Sequence, residues 1–381
     1  MKLEPDLNDT LRRDGPDAVR ARMDGAKKYN GSGAHRLIIP SGEFVANYTP
    51  PDYALDGILQ KKRVYSLTGR TGDGKTAIKL DLTYRFAANV TLAGREVSRC
   101  RVLYLAGENP DDVRGRWIAM GDHLGFETKT IDVHFVPGIF KVSEMYAQLE
   151  DEVRAVGGVG AVMVDTSAAF FEGDAENDNV QAGDHGRMLR RLTHLPGGSV
   201  VIVGCHPAKH ATNDNMLPRG GGALIAELDG NLTAIAKEKV VEMSWAGKSR
   251  GPDFDPISFE IASVTSERLK DSRGKSVWTA IARPIGSDRQ AEIEDEVRSN
   301  EDQVLLVLDQ SPDYSMAEIA RSLGWLSEKV NERGQREPLK ARVQRALGVL
   351  KVEKLADTTR GKWKLTEKGK NTAKALREKA F

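Results

Sequence analysis

The sequence predicts an α/β fold with a mostly parallel sheet, followed by a smaller helix-rich unit. Three observations carry that expectation. Short apolar runs alternate with amphipathic stretches between about residues 55 and 285. A glycine-rich motif sits where the first of those runs meets a helical segment. Beyond residue 335 the charge balance turns strongly basic. At 381 residues, 40% hydrophobic and 29% charged, the chain has room for two or three domains and is neither collagen-like nor wholly disordered. No apolar run approaches the roughly 18 residues that a membrane span needs, and the opening MKLEPDLNDTLRRDG is charged where a signal peptide is apolar. A cytoplasmic protein with no membrane partner is therefore expected. Cys100 and Cys205 stand far apart without a CxxC pair, which argues against a disulfide framework or a structural zinc site.

Residues 1–40 read as a polar N-terminal arm with one amphipathic helix (Leu7, Leu11, Val19, Met23) ahead of the breaker run Asn30-Gly31-Ser32-Gly33. The α/β domain is assigned to 41–285. Its strands are VYSLT (64–68), RVLYLAG (101–107), AVMVD (161–165) and VVIVG (200–204), with helical stretches at 141–156 and 178–195. Three later runs, NLTAIA, VVEMSW and ISFEIASV, follow at hairpin spacing, so the far edge should be antiparallel. Residues 286–300, rich in charge and poor in apolar positions, read as a linker. In 301–381 a helix at 301–309 precedes a capping box, Ser315 to Glu318, that opens a second helix. A third is expected from about Pro338, with Leu339, Val343, Leu347 and Leu350 as its stripe, and then a hairpin turning at Arg360-Gly361. That order resembles a winged helix.

Gly69-Arg70-Thr71-Gly72-Asp73-Gly74-Lys75-Thr76 fits the GxxxxGK[ST] phosphate loop between a strand and a helix, with Ala77 next in the helix. Glycines let backbone N–H groups converge on phosphate at a helix N-terminus, Lys75 adds a cation for the β/γ oxygens, and the Thr76 hydroxyl can ligate Mg²⁺. The expected ligands are therefore ATP and Mg²⁺. Asp165 closes the strand AVMVD, where a carboxylate can hold Mg²⁺ through water. Glu108 follows RVLYLAG, where a carboxylate could orient and deprotonate a water.

YLAGENPDDVRGR resembles the second-strand motif of hexameric RepA-type plasmid helicases, within the wider RecA and DnaB group of ATPases. The similarity continues through VVIVGCHPAKH, DTSAAFFEGDAENDNVQAG, PRGGGALIAELDGNLT and GKSRGPDF, covering most of residues 45–260. It implies a RecA-like core, Glu108 as catalytic base and His206 as the residue that senses the γ-phosphate. It also implies a ring-shaped homo-oligomer, a hexamer, working on single-stranded DNA, with a primase as a possible partner. One departure stands out: where the RepA-type pattern carries an Arg, this chain has Asp229. Lys248 and Arg250 instead resemble the Lys-x-Arg element by which DnaB-type rings reach a neighbour's nucleotide, with Arg219 as the competing finger.

From Arg336 to Phe381 fourteen Lys/Arg face five Asp/Glu, in a chain whose formal net charge is +1. Such a field attracts phosphate backbone, including duplex origin DNA. Lys340, Arg342 and Arg345 on the long helix, and Arg360 and Lys362 at the hairpin tip, are the candidate contacts. Two readings follow: a replicative DNA helicase driven by ATP, or a nucleotide-switched DNA-binding regulator that unwinds nothing.

Overall fold

The computed structural model describes residues 7–24, 38–46, 48–237, 239–248, 251–330, 334–359 and 362–379. Contacts divide the chain into 1–51 and 52–381. In the first unit α1 (Leu7–Asp24) is not the single helix expected, because Gly15, at φ 83°, and Pro16 kink it; α2 (Ser41–Ala46) follows.

The second unit opens with a small hairpin, β1 (Tyr53–Leu55) and β2 (Leu59–Gln60), and then winds through β3 (Val64–Thr68), α3 (Lys75–Ala88), β4 (Val102–Ala106), α4 (Pro110–Leu124), β5 (Val133–Pro137), α5 (Val142–Ala155), β6 (Ala161–Asp165), α6 (Asn179–Arg191), β7 (Val200–Cys205) and α7 (Gly221–Glu227). Strands β8 (Gly230–Lys237), β9 (Val240–Trp245), β10 (Ile257–Lys270) and β11 (Ser276–Ile285) complete a nine-stranded sheet of order β11-β10-β9-β8-β3-β7-β6-β4-β5. Strands β8 to β5 in that order run parallel, and β9, β10 and β11 add an antiparallel edge, as the sequence predicts. This is a RecA-like P-loop arrangement.

Strands β3, β4, β6 and β7 are buried along their whole length, which is why they read as unbroken apolar runs rather than alternating ones. One apolar cluster fills each face of the sheet. Each fully buried Val or Leu contributes about 1.5–3 kcal/mol. Helices α4 and α6 are capped at their N-termini: Asn109 accepts from the Asp112 N–H ahead of Pro110, and Asp178 accepts from Val180 and Gln181.

The stretch expected to be a linker is instead the first half of one helix, α8 (Ser287–Gln310). Its polar side chains have partners on the sheet edge: Arg289 pairs with Glu260, Gln290 bonds Ser258 and Glu242, and Ile293 is buried. The second half of α8 supplies Val304, Leu305 and Leu308 to a third apolar cluster, so the helix expected at 301–309 has no separate start. Around that cluster lie α9 (Met316–Ser322), β12 (Leu326–Val330), β13 (Arg336–Pro338), α10 (Lys340–Val352), β14 (Ala356–Thr359), β15 (Lys362–Leu365) and α11 (Glu367–Lys379). The capping box at Ser315 and Glu318 is formed. Pro338 ends a strand rather than starting a helix, and Leu339 stays exposed while Val343, Leu347 and Leu350 are buried. Strands β14 and β15 pair as the expected hairpin, and the turn at Arg360 and Gly361 lies outside the described residues. Among the described residues no helix is long and apolar enough to cross a membrane, and both cysteines are free.

Candidate active site

β3 ends in the sheet centre between β7 and β8, and the chain from Gly69 to Gly74 turns there into α3. Gly74 has φ 77°, a conformation that favours glycine, and a Cβ there would make a tight 3.0 Å contact with Ile261 Cδ1. Asp73 closes the loop by accepting the Arg70 N–H at 2.7 Å, and the Gly69 N–H donates to the Cys205 carbonyl at 3.2 Å. Arg70 itself points away, donating to Asn213 at 2.8 Å. The Lys75 ammonium folds back onto the Gly69 and Arg70 carbonyls at 2.7 and 2.8 Å. Burial pushes its pKa down, with the charge of Lys79 acting in the same sense.

Strands β4 and β6 pair with Ala106 opposite Asp165, which brings the ends of both strands beside the loop. The Gly107 and Glu108 N–H groups donate to the Asp165 carbonyl at 2.8 and 3.1 Å. Glu108 is exposed, and it lines one cleft of about 350 Å³ with Thr71, Gly72, Lys75, Thr76, Ala77, Asp165 and His206. The cleft runs on along α4, past Asp112 and Arg116, to Ile261 and Ala280 of the antiparallel edge. His206 follows β7 and is half-buried; burial, and then the Lys75 charge, push its pKa below the ordinary value.

Asp165 is not the free carboxylate that the sequence suggests. Its Oδ1 is ion-paired with the fully buried Lys79 ammonium and accepts the Thr76 hydroxyl at 3.3 Å, while Oδ2 accepts the Tyr104 hydroxyl at 2.6 Å. Burial raises the Asp165 pKa, but Lys79 and the Tyr104 and Thr76 hydroxyls outweigh it and the net direction is down, so the group is ionised. Sequence reasoning missed both Lys79 and Tyr104. The signal was a second lysine one turn beyond Lys75, a cation that must find an anion where that face is buried. Among the described residues no cluster of three or more His, Cys, Asp and Glu could hold a metal on its own. Thr76 and Asp165 nonetheless suit Mg²⁺ held mainly by phosphate oxygens.

Of the expected finger residues, Arg250 lies outside the described residues. Lys248 donates to the Ile225 and Ala226 carbonyls at 2.9 and 2.8 Å, at the C-terminal end of α7. Arg219 is ion-paired with Glu176 at 3.0 Å, and its N–H donates to the His206 carbonyl. Asp229 is fully buried, accepting from the Val64 N–H and from Arg190 at 3.0 Å each, so the acid at this position serves the core. In the C-terminal elements Lys340, Arg345 and Lys362 are exposed. Arg342 instead lies over the Trp325 ring, 4.2 Å from its centroid, and bonds Asn300 at 2.5 Å.

A phosphate loop with its lysine, a hydroxyl and an acid placed for Mg²⁺, and a second acid beside them make this the site of a P-loop ATPase. Residues 35–212 match the family model of an AAA domain, which supports the reading of this site as that of an ATPase. No curated protein matches the chain.

Proposed function

We propose that the chain is an ATP-driven replicative DNA helicase of the RepA type, working in the cytoplasm on single-stranded DNA as a homo-oligomeric ring, a hexamer. In this reading the C-terminal elements act as a winged helix on duplex origin DNA, and a primase is a candidate partner. The observation that carries it is Glu108 in one cleft with Lys75, Thr76, Asp165 and His206. Lys75 holds the β/γ-phosphates, and Thr76 and Asp165 hold Mg²⁺, which supplies charge neutralisation at the transferring phosphoryl group. Glu108 takes the proton of the attacking water, and it is free to do so because its exposed carboxylate faces the cleft. His206 follows strand β7, and its carbonyl accepts the N–H of Arg219, in the glycine-rich loop before α7. Loss of the γ-phosphate beside His206 is thereby passed to that loop. Exposed Lys340, Arg345 and Lys362 supply phosphate contacts, together with Arg360.

A second reading, a nucleotide-switched DNA-binding regulator without unwinding activity, is favoured by one observation. Asp229 stands where the RepA type has an Arg, and Arg219 is ion-paired within its own chain. A strand-displacement assay separates the two. ATP-dependent release of a labelled strand supports the helicase; hydrolysis and DNA binding without release support the regulator.

A further inference from the structure

Lys79 lies one helical turn beyond Lys75, is wholly buried, and donates to the Val164 carbonyl at 3.1 Å besides its ion pair with Asp165. Space for it is built into the next strand: a Cβ at Gly204 of β7 would collide with the Lys79 ammonium. Taking a cation out of water costs several kcal/mol, and an apolar side chain would pack there at no such cost. The pair is also placed where it matters. The Asp165 oxygen that Lys79 holds is the one within 3.3 Å of the Thr76 hydroxyl, and Tyr104 occupies the other.

We infer that Lys79 is a positioning residue that sets how strongly nucleotide binding depends on the metal ion; the inference rests on the nucleotide-site reading above. A lone buried carboxylate beside the phosphate loop repels a polyphosphate until a divalent cation stands between them. Lys79 cancels that charge before any metal arrives and keeps the carboxylate in one orientation. Nucleotide binding therefore depends less on the metal in this chain than it would without Lys79, although the phosphates still supply most of the metal's ligands. Because coupling between two ligands is reciprocal, loss of Lys79 strengthens the dependence of each on the other.

The test uses the full chain as wild type, Lys79→Met and Lys79→Arg. The affinity of a fluorescent ADP analogue is measured with excess Mg²⁺ and again with chelator. The wild-type ratio of the two affinities should lie below about tenfold. Lys79→Met should raise that ratio by about tenfold or more, with the loss concentrated in the chelator arm, and Lys79→Arg should keep the wild-type ratio. A Lys79→Met protein that weakens in both arms alike would mark Lys79 as merely structural and overturn the inference. If Lys79→Met does not fold, the wild type decides alone, since a ratio of about 100-fold or more contradicts a precompensated site. A wild type that binds no nucleotide in either arm refutes the underlying site reading, and that outcome is distinct from an altered ratio.

Discussion

Replacing Glu108 by Gln removes the proposed base while changing little else. The side chain is exposed, and the only bond that ties this residue to Asp165 comes from its backbone N–H, which Gln retains. Lys75 reaches the loop carbonyls and Thr76 reaches Asp165 without its help. Nucleotide affinity should thus stay within about threefold of wild type, since none of the phosphate-binding groups is disturbed. Hydrolysis loses a positioned base, worth about 10² to 10⁴ in rate, or about 3–5 kcal/mol on the barrier. Phosphate release under single-turnover conditions, alongside equilibrium binding of a fluorescent nucleotide, measures both numbers on one sample. Turnover near the wild-type rate would refute the role of Glu108. Binding and hydrolysis lost together would show that the residue holds the β4–β6 junction rather than acting on water.

Three further outcomes are expected. Lys75→Ala should abolish hydrolysis and weaken binding, and mixing it with Arg250→Ala protein should restore part of the turnover if Arg250 completes a neighbour's site; no recovery in proven mixed oligomers removes Arg250 from that role. Lys340→Ala with Arg345→Ala should lower the slope of log affinity for duplex DNA against log salt by about two units, whereas Arg342→Ala, which loses its stacking on Trp325, should lower the melting temperature instead. Burial pushes His185 down to about 4 from an ordinary 6.5, so the folded form stays neutral while the unfolded chain takes up a proton. Stability therefore falls as pH drops from 6.5 to about 4, and His185→Gln should remove about 3 kcal/mol of that acid loss in denaturant titrations; equal pH slopes in the two proteins would refute it.

The parallel core was legible because strands covered on both faces leave continuous apolar runs, and β3, β4, β6 and β7 are all of that kind. The phosphate loop was legible because its function needs fixed spacing within eight residues. Lys79 and Tyr104 were not, since their common partner Asp165 lies 86 and 61 residues further along the chain, and no local pattern marks the meeting. The first half of α8 was misread because it docks through Arg289 and Gln290 on polar groups of the sheet edge rather than through an apolar stripe. Pro338 was misread for a related reason: it suits a first helical turn, but its pairing with Leu326 across β12 and β13 holds it in a strand. Arg342 looked like a DNA contact by its charge and its place off the apolar stripe of the long helix, and only the fold shows its guanidinium over Trp325 and bonded to Asn300.

In the proposed motor the sites act within a ring, and the mass of the full chain in solution tests that most directly. Light scattering or native mass spectrometry is run on protein alone, with ATP and Mg²⁺, and with single-stranded DNA added. The account predicts a closed assembly of six copies that ATP and DNA stabilise, and that the Lys75→Ala variant forms less readily because the loop has lost its cation for the β/γ-phosphates. A protein that stays monomeric with both ligands bound, while still hydrolysing ATP at the wild-type rate, would contradict it.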